Sequence, residues 1–187
     1  MTALARAYLA GEGGPNYRAK AQDWLDKAAG RGWTEAMYRL ATFYRDTADY
    51  EMALHWYREA AEAGIVDARV DAGLIYEEGQ QGVPQNLAEA RCLYESAADA
   101  GSARGMFAMG QLYQLGIGVS QDHDRALKWY RQAADAGSAD AMAAVGMMFQ
   151  NGWGVSENRD SAAHWYRRAE DAGSPDAGEM LRQHGAD

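Results

Sequence analysis

Residues 109–137 read MGQLYQLGIGVSQDHDRALKWYRQAADAG, and this stretch decides the fold. It opens with Met109-Gly110-Gln111-Leu112-Tyr113, an apolar residue, a tiny one, two variable ones and an aromatic. Apolar residues four apart share one face of a helix, and the tiny residue lets a neighbouring helix approach closely. Gly116-Ile117-Gly118-Val119 follows, where glycine supplies the positive φ of a tight connection and the valine tucks under the helices. Asp122 suits the N-cap of a second helix. That helix spaces its apolar residues by three and four through Trp129-Tyr130 to Ala133-Ala134, and Gly137 suits its left-handed end. The stretch is a helix A, a glycine-rich turn and a helix B.

The same unit recurs along the chain. The closing glycines Gly32, Gly64, Gly101, Gly137 and Gly173 stand 32, 37, 36 and 36 residues apart. Eight residues before each comes Trp24, Trp56, Leu93, Trp129 or Trp165, followed by Leu25 in the first case and by Tyr57, Tyr94, Tyr130 and Tyr166 in the others. The helix A block returns at Leu40-Ala41 to Tyr44, Ala72-Gly73 to Tyr76 and Val145-Gly146 to Phe149, and also at Leu4-Ala5 to Tyr8. The turn returns at Gly79 to Val83 and Gly152 to Val155, with Gly11-Glu12-Gly13-Gly14 as a degenerate copy; Asn86 and Asn158 are further cap candidates. Around Arg45 to Tyr50 the glycine turn is missing and the repeat is four residues short. A fixed period of this length marks stacked helical repeats, so the expectation is an all-α fold forming a single solenoid domain over 1–187. Its repeats are placed at about 1–32, 33–64, 65–101, 102–137 and 138–173, with 174–187 as a partial repeat that begins another helix A at Pro175 and acts as a cap. If the ends are left uncovered, they favour self-association.

Composition narrows the function. The formal net charge is −9, from 18 basic and 27 acidic residues, and no Lys/Arg-rich run offsets it, so a nucleic-acid partner is not expected. The single cysteine, Cys92, excludes an internal disulfide framework and a multi-cysteine metal site. No apolar run approaches the roughly 20 residues of a membrane-spanning helix, so no membrane insertion is expected. Arg6 interrupts the stretch where a signal peptide needs an apolar core, which makes a cytoplasmic location the expectation. A periplasmic or exported chain with its signal removed would have the same composition.

The quoted motifs resemble the Sel-one-like repeat family, a relative of the tetratricopeptide repeat. The family pattern is Leu-Gly-x-x-Tyr, Gly-x-Gly-Val, Lys-Ala-x-x-Trp-Tyr-x-x-Ala-Ala and a closing Gly. Met109-Gly110 through Gly137 follows it most closely, and the resemblance covers nearly the whole chain. It implies a right-handed α-solenoid with helix A on the concave side, used as a scaffold or adaptor for other proteins. The short repeat at Asp46 to Tyr50 is closer to a plain tetratricopeptide repeat. Relatives with a disulfide in every repeat differ from this one-cysteine chain.

No metal or cofactor is expected. His55 and His164 precede a tryptophan in a slot that Lys128, Cys92 and Asp23 fill elsewhere, so the slot is a tolerant one at the solvent edge. His123 starts a helix and His184 lies in the tail. No nucleophile, phosphate-loop or zinc motif occurs, and Gly-x-Gly-Val follows a helix rather than the strand a dinucleotide site requires. Pairs such as Glu77-Glu78 and Asp67/Asp71 are more often solvated, or bound to a basic partner, than catalytic. The Trp-Tyr pairs repeat as core packing demands. Helix A positions that vary between repeats have no such reason to match.

The tetratricopeptide relation places the groove at offsets five before, two before, two after and five after the apolar residue of each apolar-tiny pair. These offsets select Glu35, Tyr38, Thr42 and Arg45, then Asp67, Val70, Leu74 and Glu77. The next two repeats supply Arg104, Phe107, Gln111 and Gln114, then Asp140, Ala143, Met147 and Gln150. Tyr38, Val70, Leu74, Phe107 and Met147 form an apolar centre with a polar rim, as in a site for a partner protein's peptide or helix. The alternatives are an inhibitor or immunity-type protein that occludes one toxin or enzyme and, weaker, a hydrolase of cell-wall material.

Overall fold

The computed structural model describes residues 15–184. The helix A expected at Leu4 to Tyr8 and the glycine turn at Gly11 to Gly14 lie outside the described residues. The rest is helical: α1 Pro15–Ala29, α2 Thr34–Asp46, α3 Tyr50–Glu62, α4 Asp67–Glu78, α5 Leu87–Asp99, α6 Ala103–Leu115, α7 His123–Asp135, α8 Ala139–Asn151, α9 Arg159–Asp171 and α10 Ala177–His184. Among the described residues the only β-type pairing is one isolated bridge, Gln80 to Val83. No described helix is long and apolar enough to cross a membrane. The chain divides into two compact units, Met1–Asn86 and Leu87–Asp187.

The helices end where the sequence tells them to. Asp49, Asp122 and Asn158 each accept a hydrogen bond from a backbone N–H three residues on, which satisfies one donor that a helix start leaves open. Ser102 and Ser138 do the same for α6 and α8, accepting from Gly105 N and Ala141 N. Gly116 and Gly152 close these two helices in the left-handed conformation. In the short repeat the α2–α3 connection has no glycine, and Ala48 takes the positive φ of 61° instead.

In the first unit α2 packs on α1 and α3, and α4 on α3. Leu25, Ala29, Ala36 and Leu40 form a buried cluster there, with Tyr44 and Trp56 against it. In the second unit α5 packs on α6, α6 on α7, α7 on α8, α8 on α9 and α9 on α10. Its core holds Leu127, Tyr130, Val145 and Met148, and beside them an alanine-rich cluster running from Ala133 to Ala177. Val155 packs against this core, as its place in the glycine turn predicts.

Two features of the repeat set how closely the helices meet. Tyr57, Tyr94, Tyr130 and Tyr166 are all essentially fully buried. The tiny residue of helix A accommodates the tyrosine of helix B: a Cβ added at Gly146 would lie 2.6 Å from Tyr166 Cε1, and one at Gly110 would press against the Tyr130 ring. The preceding tryptophans are less enclosed. Trp56, Trp129 and Trp165 are half-buried, and Trp24 is exposed.

Candidate functional site

Burial separates the helix A offsets into two groups. In the first unit Glu35 is exposed and pairs with Arg39 at 2.6 Å, one turn along α2. Leu74 is 39% exposed, a large apolar side chain left open to solvent on α4. Val70 is only 4% exposed and therefore belongs to the core of this unit rather than to an open surface. Two residues from both Ala68 and Ala72, Val70 lies on the other side of α4 from them and shares its side with the buried Gly73, so this helix is buried on two sides. Asp67 and Glu77 are half-buried at the two ends of α4.

The remaining first-unit positions meet in a polar cluster. Tyr38 Oη donates to Asp71 Oδ2 at 2.6 Å, and its ring meets Tyr57 edge-on with centroids 5.8 Å apart. Asp71 is itself 3% exposed, so it is a buried carboxylate bonded to a tyrosine and not the solvated or partner-bound one expected of the Asp67/Asp71 pair. Its repeat counterparts are the buried Ala108 and Ala144 and the half-buried Arg39, so the sequence carried a mixed signal for this slot. Thr42 Oγ1 donates back to Tyr38 O, and Arg45 holds Asp46 through Nε and Nη2.

In the second unit Arg104, Gln111 and Asp140 are exposed, whereas Phe107 and Met147 are half-buried. Phe107 packs against both core clusters and lies 5.4 Å from the Tyr130 ring, so it serves the core on one side while its other side is open. Ala143 is buried at 8%. Gln114 and Gln150 have a structural role of their own: Tyr130 Oη donates to Gln114 Oε1 at 2.5 Å, and Tyr166 Oη donates to Gln150 Oε1 at 2.6 Å. Burial raises both phenols, that of Tyr166 to about 12, so each stays a hydrogen-bond donor at neutral pH.

The short repeat breaks this tyrosine–glutamine pairing. Its position five after the reference is Arg45, which has only donors to offer, and the buried Tyr57 hydroxyl is left outside hydrogen-bonding geometry. Burial raises the Tyr57 phenol, with the neighbouring Thr42 hydroxyl offsetting part of the effect. Arg45→Gln supplies the missing acceptor, and a gain of about 1 kcal/mol in urea unfolding is expected. An unchanged or lowered midpoint would show that Tyr57 gains nothing from the amide.

Three histidines have aromatic neighbours of their own. His55 and His164 are exposed and lie edge-on to Trp56 and Trp165, while His123 stacks on Trp153 with centroids 5.4 Å apart. Among the described residues no three His, Cys, Asp or Glu side chains group as metal ligands would.

Known proteins share this arrangement. The pattern of the Sel1 repeat matches residues 1–33, 34–65, 66–102, 103–138 and 139–174. The uncharacterized protein NMB1327 of Neisseria meningitidis serogroup B is 33% identical over 123 residues, covering 66% of this chain and 26% of that protein. The chain thus spans about a quarter of the length of this relative. A Sel1 repeat protein from Oxalobacter formigenes superposes with a TM-score of 0.80 at 30% identity, covering 95% of this chain and 74% of that one. The immunity protein PA5088 from Pseudomonas aeruginosa superposes with a TM-score of 0.62 at 25% identity, covering 87% and 60%.

Proposed function

The chain belongs to the Sel1 repeat family, whose members typically mediate protein–protein interaction and are in general non-catalytic scaffolds, and from this we propose that it captures a peptide or helix of a partner protein on its A helices. One observation carries the reading. On these helices the residues that repeat are buried, whereas five of those that vary, Arg104, Gln111 and Asp140 in one unit and Glu35 and Leu74 in the other, are exposed; Val70 and Ala143 vary and are buried. Variable chemistry on a fixed frame is how repeat proteins acquire different partners. Half-buried Phe107 and Met147 offer apolar contact in the second unit, and Leu74 offers it in the first.

Affinity capture from native lysate tests this with Leu74→Glu/Arg104→Glu. Phe107 is spared because it also packs the core. With helical circular dichroism unchanged, the double variant is expected to retain about tenfold less of a partner held by the wild type. Equal retention would move binding off the A helices.

An inhibitor or immunity-type role is a second reading, favoured by the likeness to PA5088. It requires a one-to-one complex of about nanomolar or tighter affinity with a single enzyme or toxin, whereas a reusable adaptor tolerates faster exchange.

A further inference from the structure

A cavity of about 420 Å³ opens in the second unit between α5 and the connection from α6 to α7. Its volume falls within the roughly 300–1,000 Å³ typical of ligand clefts. Arg91 of α5, Arg125 of α7, Tyr113, Ser120 and Asp122 line it. α5 and α7 are B helices, so this hollow is distinct from the exposed A-helix residues of the preceding section.

Neither arginine follows the repeat. The slot of Arg91 holds Gln22, Leu54, Leu127 and Ala163 elsewhere, and the slot of Arg125 holds Lys20, Met52, Glu89 and Ser161. A slot that serves packing between repeats keeps its chemistry from copy to copy, as the buried tyrosines do. These two slots instead acquire a guanidinium in neighbouring repeats and direct both into one cavity.

The two guanidiniums are held differently. Arg125 lies over the Tyr113 ring at 5.4 Å, and its Nε is 3.2 Å from Asp122 Oδ2. Asp122 is fixed in turn by accepting from Arg125 N at 2.9 Å. A guanidinium has five N–H donors, so these contacts leave Arg125 donors for a guest. Arg91 is exposed and forms no ion pair among the described residues. The charged lining is two arginines and one aspartate, a local excess of one positive charge on a chain of net charge −9.

We propose that this cavity binds a carboxylate of a partner polypeptide, with Arg125 as the fixed anchor and Arg91 as the arm that closes on the second oxygen. The planar fork of arginine matches a carboxylate in two parallel hydrogen bonds. One excess positive charge balances a single carboxylate and leaves a phosphate dianion half neutralised. The carboxylate belongs to an acidic side chain or to a chain terminus, which share this chemistry.

The test is a chemical-shift titration of the ¹⁵N-labelled full chain, read at the Gly118 to Asp122 amides and the Arg91 and Arg125 Nε–H groups. The probes are acetyl-trialanine with a free terminal carboxylate, acetyl-Ala-Glu-Ala-amide, its neutral Gln counterpart and inorganic phosphate. Saturable shifts are expected with at least one carboxylate probe and not with the neutral peptide, and whichever probe binds tighter identifies the source. Arg91→Gln is expected to weaken binding by about tenfold, while Arg167→Gln, at an exposed arginine of α9 outside the cavity, leaves it unchanged. Absent shifts, or shifts that persist equally in Arg91→Gln, would overturn the proposal. Tighter binding of phosphate than of either carboxylate would overturn the assignment of the ligand.

Discussion

Gly146→Val is expected to lower the melting temperature by roughly 5–12 °C, from a loss of about 2–4 kcal/mol. The reason is geometric. Even the first added carbon falls 2.6 Å from Cε1 of Tyr166, a ring only 1% exposed with no space to retreat into. Either the ring leaves its pocket, losing its apolar burial and its bond to Gln150, or α8 and α9 move apart along their length. Thermal unfolding followed by circular dichroism measures this. Gly137→Ala is the control, since a Cβ at Gly137 meets nothing within 4 Å and that substitution carries only the strain of φ +92°. A Gly146→Val protein that melts within about 2 °C of wild type would show that the helices are not in contact through this residue.

Tyr130→Ala is expected to cost about 3–5 kcal/mol in urea unfolding, among the largest effects of any single truncation here. The side chain is 1% exposed and sits at the centre of the cluster formed by Leu127, Val145 and Met148. Its removal opens a cavity beside Gly110, a residue with no side chain to fill it. Tyr130→Phe separates the two parts of the effect. It keeps the ring and removes the hydroxyl, so Gln114 Oε1 loses its donor and about 1 kcal/mol is expected. If Phe were as damaging as Ala, the hydrogen bond rather than the packing would dominate this site.

The frame of this protein was legible because its signals are local and repeated. The apolar-tiny pair, the turn glycines, the Asp122 and Asn158 caps and the Trp-Tyr phase each follow from the chemistry of a few adjacent residues. Ser102 and Ser138 carried the same kind of signal, a serine directly after the closing glycine, and could have been read as caps. The surface was less legible because its partition depends on neighbouring helices. Gln114 and Gln150 look like groove-facing amides until the buried tyrosines that need their oxygens are brought beside them. Val70 is an apolar residue at a surface offset, and only the packing of α4 draws it inward. Asp71 is a carboxylate in a slot that holds Arg39, Ala108 and Ala144 elsewhere, and its bond to Tyr38 joins residues 33 positions apart.

The glycines of this chain carry two unrelated constraints behind one letter. At Gly146 the limit is volume, because the Cβ of any L residue meets the ring. At Gly64, Gly101, Gly137 and Gly173 the surroundings are open and the limit is handedness alone, because the positive φ that strains an L residue is the natural region of its mirror image. D-alanine, placed there by chemical ligation, keeps the turn and narrows the choices of the unfolded chain. The ends of the B helices are thus positions where stereochemistry, rather than size, selects the residue.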